Sequence, residues 1–210
     1  MLSSLPLFFQ NFVLKLKDHL LGRLLNIDYD GDERDFSNVN QNTVHIMNNR
    51  IYSAKVLRVN FTTYDIRRDQ DTMNPRNRCD IMVQSHEDSA NAHPFWYARV
   101  LGVFHAQVLH TGPLAQNRSI QHMEFLWVRW FGIIEGHQYG AKIARLPKIG
   151  FLGETDASAF GFLDPSLIVR GCHLIPAFMD GRTSDLLKTK SSLGRPVGEI
   201  DDWAAFYVMM

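Results

Sequence analysis

The 210 residues include only two cysteines, Cys79 and Cys172, far apart in the chain. That excludes a disulfide framework and a CxxC metal knuckle, and a reduced, intracellular protein is the expectation. An excess of one charge is also missing, since Lys+Arg and Asp+Glu are both 22. Bulk attraction to a polyanion is thereby excluded, so any nucleic-acid binding has to come from a local patch. No apolar run approaches the roughly 18 residues that span a bilayer. The greasy stretch Leu5-Pro6-Leu7-Phe8-Phe9 is broken by Gln10 and Asn11 and followed by Lys15, Lys17 and Asp18. It has no small-residue cleavage site and reads as neither signal nor membrane anchor. GxSxG, P-loop and GxGxxG patterns are absent too, so the markers of nucleophilic and nucleotide chemistry are missing. No cofactor is implied, and a non-enzyme is the expectation. What is present is ordinary globular material: 45% apolar and 21% charged residues, enough to bury a core without staples.

Organisation follows from periodicity. Leu5, Phe8/Phe9, Phe12/Val13, Leu16, Leu20 and Leu24 recur at helical spacing, with Lys15, Lys17, Asp18 and Arg23 between them. An amphipathic helix is expected over residues 1–27. It either folds against its own domain or docks onto a partner, a transposase or a second copy, through residues 5–25. Residues 28–42 read as an acidic linker. Its Asp28, Asp30 and Asp32 suggest a calcium loop, but the sixth position is Glu33 and the twelfth Val39, so the EF-hand register fails twice.

Residues 43–180 read as strands. Thr43–Met47 and Ile51–Phe61 flank Asn48-Asn49-Arg50 and suggest a hairpin. Ile81–Gln84 is a short strand. In Phe95–Leu109, Trp96, Ala98, Val100, Gly102, Phe104, Ala106 and Val108 share one parity and predict a core face; Tyr97, Arg99, His105 and Gln107 take the other. Met123–Phe131 repeats the pattern, and Ala141–Leu152, Ser166–Pro176 and Ala205–Met209 are further strands. Residues 181–210 read as a loose tail with a final strand. With no helix between the strands, the expected fold is mainly β: an antiparallel, partly closed barrel preceded by a helix.

Chemistry is sparse. Of nine histidines, His86 and His93 bracket Glu87 and Asp88, and a metal-dependent nuclease built from His86, Asp88 and His93 is the enzymatic alternative. HExxH spacing is absent, so no metal ligand is assigned. Trp96, Tyr97, Trp127, Trp130 and Phe131 crowd two strands. Most belong in a core; a few could cage a cation, each good ring face contributing ~0.5–2 kcal/mol. The cage candidates are Trp130, Tyr139 and Glu135. Arg67, Arg68, Arg76 and Arg78 stand in the stretch Asp65–Arg78 against Asp65, Asp69 and Asp71, a solvated loop with phosphate contact as its functional reading.

Two resemblances attach to these motifs. Phe95-Trp-Tyr-Ala-Arg-Val-Leu-Gly102, Trp127-Val-Arg-Trp-Phe131 with Glu135, and Asp164-Pro-Ser-Leu-Ile-Val-Arg-Gly-Cys-His-Leu-Ile-Pro176 resemble, in order, the bromo-adjacent homology (BAH) domain. That domain has an aromatic and Arg-Pro-Glu where this chain has Gly132-Ile-Ile-Glu135. The resemblance implies a chromatin-associated β module, with a histone peptide or DNA as partner. Leu7-Phe-Phe-Gln-Asn-Phe12, Tyr29-Asp-Gly-Asp32, Asn91-Ala-His-Pro-Phe-Trp-Tyr-Ala-Arg-Val100, Met123-Glu-Phe-Leu-Trp-Val-Arg-Trp-Phe-Gly132 and Gly171-Cys-His-Leu-Ile-Pro-Ala-Phe178 are similar to an uncharacterised family. That family is multiplied in mushroom-forming fungi, often as the C-terminal part of Plavaka and Kyakuja–Dileera–Zisupton transposon proteins. It implies a nuclear protein of mobile-element origin and assigns no site residues.

Overall fold

The computed structural model describes residues 12–29, 34–77, 79–87, 92–187, 194–195 and 198–209. Its helices are α1 (Phe12–Leu24) and the single turn α2 (Asn38–Gln41). Strands follow as β1 (Val44–Ile46), β2 (Tyr52–Ala54), β3 (Leu57–Thr62), β4 (Arg68–Met73), β5 (Asp80–Gln84), β6 (Phe95–His110) and β7 (Gln121–Ile133). Then come β8 (Lys148–Phe151), β9 (Phe160–Leu163), β10 (Ile168–Gly171), β11 (His173–Pro176), β12 (Arg182–Thr183), β13 (Asp202–Trp203) and β14 (Phe206–Met209).

The long β6–β7 hairpin is the frame. The main sheet runs β10-β5-β6-β7-β8-β14-β11, every pair antiparallel. Its two end strands are consecutive in the chain, with only Cys172 between them, and the Cys172 amide donates to the Asp80 carbonyl at 2.9 Å. The sheet therefore curls until its first and last strands meet through one residue. The fold is mainly β with a nearly closed antiparallel barrel, as the strand spacing requires.

A bulge divides the hairpin. Val100 pairs with Val128 but Gly102 with Trp127, leaving Leu101 as an extra residue. Parity flips there. Trp96, Ala98 and Val100 pack on the outer wall with Leu126, Val128 and Trp130. Beyond the bulge, Phe104, Ala106 and Val108 take the opposite face, under α1. The single core face expected over residues 96–108 is thus two half-faces on opposite sides. Gly102 makes the turnover possible, because a Cβ there would lie 2.4 Å from the Phe104 ring.

Three cores result. Inside the barrel sit Met82, Tyr97, Phe131, Ile149, Phe151, Cys172, Phe206 and Val208. Outside it, Leu57, Val59 and Met73 of the separate β3–β4 sheet cover Ile81, Val100 and Leu126. On the far half of the hairpin, Leu16, Leu20, Leu21 and Leu24 of α1 pack on Val44, Ala106, Phe125 and Phe162. Each fully buried leucine contributes about 1.5–3 kcal/mol. The stripe Leu16, Leu20, Leu21 and Leu24 of α1 is occupied by its own domain, while Val13 and Leu14 stay exposed; residues 5–11 lie outside the described residues.

Several expectations need correction. β1 and β2 both pair with β6, so Asn48-Asn49 bends one strand path and makes no hairpin; both asparagines have positive φ. Within the solvated loop expected at Asp65–Arg78, residues 68–73 form strand β4, paired with β3, and most of its side chains stay exposed. The second half of the linker is folded: buried Asp18 accepts from Phe36 N at 3.1 Å and from Gln41 Nε2 at 2.7 Å, which straps 36–41 to α1. The described parts of the tail are not loose either, since Arg195 and Asp202 are buried and β14 lies between β8 and β11.

Candidate functional site

At one end of the barrel His93 bridges two tyrosines. Its Nε2 lies 2.7 Å from the Tyr97 hydroxyl and its Nδ1 3.1 Å from that of Tyr139. Burial holds the His93 pKa below its ordinary value and raises that of Tyr97, so a neutral chain is favoured in which one ring nitrogen donates and the other accepts. Both nitrogens are engaged, and the unit pins the loop around Tyr139 to the barrel. That takes His93 out of the proposed nuclease trio. His86 is exposed near the Trp96 ring, and Asp88 lies outside the described residues. Among the described residues no group of three or more His, Cys, Asp or Glu side chains is placed to hold a metal ion.

The same geometry takes the cage apart. Tyr97 pairs with Phe131 and Ala98 with Trp130, so adjacent residues of β7 point to opposite faces. Trp130 packs on the outer wall, whereas Tyr139 is tied through His93 to the inner face. Glu135 is exposed in the turn after β7. The three do not converge.

At the barrel's other end lies a group of buried charges. Arg99 Nε sits 2.7 Å from Asp80, and its guanidinium centre lies 4.9 Å from the Phe151 ring. Arg129, its cross-strand neighbour, lies 2.8 Å from Asp202 and 3.7 Å from the same ring. Arg195 Nη2 contacts the other oxygen of Asp202 at 2.9 Å. Burial pulls the Arg129 pKa down while Asp202 holds it up. Cys79 and Cys172 are free and buried beside this group, and burial pushes the Cys79 thiol up to about 12, so neither is a reactive thiolate at neutral pH. With three enclosed guanidiniums held against Asp80 and the shared Asp202, this is a structural network.

A cleft of about 170 Å³ separates α1 from the 27–36 segment and is lined by His19, Arg23, Tyr29, Arg34, Phe36 and Asp164, among others. Arg23 already pairs with Asp164 at 2.7 Å. His19 Nε2 is enclosed without a hydrogen-bond partner, and burial lowers its pKa to about 3, so it stays neutral. Asp28 is at the rim; Asp30 and Asp32 lie outside the described residues.

The remaining candidates lie on the β3–β4 arm, a two-stranded sheet of its own. Arg68 begins β4 and is exposed. Arg67 stands in the turn, 2.9 Å from Asp65, both exposed to water. Arg76 is exposed in the 3-10 turn after β4, and Arg78 lies outside the described residues. The turn holds Ile66 at φ 64°, a conformation unfavourable for a β-branched residue, and leaves Tyr64 fully exposed. Sequence reasoning missed Arg58 and the polar residues beside it. The signal was the period-2 pattern Arg58-Val-Asn-Phe-Thr62, obscured by reading Ile51–Phe61 as one strand of a hairpin. No family model, curated protein or solved structure matches this chain in comparison.

Proposed function

We propose that the chain is a non-enzymatic binding module that associates with DNA, serving as a chromatin-associated accessory domain of a mobile-element protein in the nucleus. The observation that carries this reading is the β3–β4 arm: Arg58, Arg67, Arg68 and Arg76 are exposed on or beside one projecting hairpin. Arg67 is paired with Asp65, and Asp69 is exposed beside them, so the cations offered to a phosphate backbone are chiefly Arg58, Arg68 and Arg76. The BAH-like order of motifs supports the chromatin part, and the resemblance to transposon proteins supports the mobile-element part. Fluorescence anisotropy with a 20-base-pair duplex and with histone-tail peptides tests it. Duplex binding that weakens steeply with salt is expected; no affinity tighter than millimolar for either probe defeats it.

A further inference from the structure

Register sorts the arm's side chains into two populations. Leu57 faces Met73, Val59 faces Asp71 and Phe61 faces Asp69; between them Arg58 faces Thr72, Asn60 faces Gln70 and Thr62 faces Arg68. Members of a directly opposed pair share a face, and successive pairs alternate. The first set points at the barrel. Leu57 and Val59 are buried there, the Arg170 guanidinium lies 4.0 Å from the Phe61 ring, and Asp71 accepts from Gly171 N at 3.0 Å and lies 3.6 Å from Arg170. The second set, Arg58, Asn60, Thr62, Arg68, Gln70 and Thr72, is exposed throughout.

This division has a chemical consequence. Both aspartates of β4 have the inward register, Asp71 engaged there with Gly171 and Arg170 and Asp69 exposed at the edge with Gln70 N donating to it at 2.7 Å. The outward positions themselves therefore carry two arginines and no carboxylate. Its centre is prearranged: Gln70 Nε2 donates to Asn60 Oδ1 at 2.7 Å. That bond engages the Gln70 donor and the Asn60 acceptor and leaves the Asn60 amide N–H groups and the Gln70 carbonyl oxygen as a donor and an acceptor for a ligand. Adenine shows the complementary acceptor N7 and donor N6 in the major groove, and arginine matches guanine O6 and N7. The dimensions agree as well. Two strands about 4.8 Å apart and about 20 Å long form a ribbon that a major groove of roughly 12 Å admits.

Resting on the DNA-binding reading above, we infer that the outward face of the β3–β4 arm enters the major groove of duplex DNA, with Asn60 and Gln70 on base edges and Arg58 and Arg68 on guanine or phosphate. Two arginines and a row of hydrogen-bonding side chains, with no carboxylate at the outward positions, favour this occupant over an apolar partner surface.

The full chain is tested by anisotropy against a DNA duplex, an RNA duplex of the same sequence, and a randomised DNA pool from which preferred sites are selected. Two variants are compared, Asn60→Ala/Gln70→Ala and Arg58→Ala/Arg68→Ala, each with its thermal melt as a folding check. Because these residues are exposed, both variants keep the wild-type melt. The arginine variant is expected to lose about tenfold in affinity and to flatten the salt dependence by about two counterions. The amide variant keeps most of its affinity for arbitrary duplex but loses about tenfold of its preference for the selected site. RNA duplex binds about tenfold more weakly, because its deep, narrow major groove excludes the ribbon. DNA binding that both variants leave unchanged, or RNA bound as tightly as DNA, overturns the major-groove assignment while the DNA-binding reading survives. A wild-type chain that binds no duplex ends both.

Discussion

Two sets of arginines on alternating strands meet opposite fates. Arg99 and Arg129 enter the barrel, each against its own carboxylate and around one phenylalanine ring. Arg58 and Arg68 face water across a ribbon whose outward positions hold no acid. The buried set is committed: removing a partner leaves a charge in a low-dielectric site, which costs far more than the pair is worth in place. The exposed set is uncommitted, and surface pairs such as Arg67–Asp65 are worth at most about 1 kcal/mol. Charge inside this fold fixes geometry, and charge on the arm stays in water.

The contrast predicts stability effects on very different scales. Asp202→Ala strands Arg129 and Arg195 together in the interior and should cost about 3–5 kcal/mol in urea unfolding. A loss under 1 kcal/mol would make the inner network no different from the surface. The buried imidazole comes next. The folded chain withholds a proton from His19 until about pH 3, whereas the unfolded chain takes one up from about pH 6.5 downward. Its contribution is therefore complete above pH 6.5 and is lost as pH falls toward 3, with a slope of up to about 1.4 kcal/mol per pH unit. His19→Leu should flatten the stability–pH curve in that window relative to wild type; parallel curves contradict the assignment.

Smaller effects belong to the arm. Ile66→Gly relieves the left-handed strain and should raise stability by about 1 kcal/mol or less, partly offset by the freedom glycine gains in the unfolded chain. Calorimetry reads it, and a fall in melting temperature means Ile66 makes contacts that outweigh the strain. Arg58→Ala/Arg68→Ala should move the unfolding free energy by no more than about 0.5 kcal/mol. A larger loss would move these residues into the first category.

Long elements with a single environment were legible in the sequence. The helical spacing around Leu16, Leu20 and Leu24 and the alternation of β6 and β7 correspond to observed elements. What stayed hidden depends on contacts between distant segments. Phe160–Leu163 is buried at every position, so it has no alternation to read, and strand β9 was missed. A single extra residue, Leu101, reversed the face of everything after it, and nothing in Val100-Leu-Gly-Val103 marks that before pairing is known. Arg99 and Arg129 looked like outward residues because their carboxylates arrive from elsewhere; Asp202 is 73 positions from Arg129. The same ignorance of facing joined Trp130 to Tyr139, which lie close in sequence and on opposite sides of a wall.

The seam at Cys172 bears on how the chain is made. β14 follows every other strand of the main sheet in chain order, yet its place is between β8 and β11. During synthesis the ribosome delivers β8, β10 and β11 before the stave that joins them, so for a time the sheet stands open along two unpaired edges. Such edges recruit strands from neighbouring chains. Nascent copies therefore pass through an interval of exposure to chaperones and to each other, which ends when Phe206–Met209 slides home.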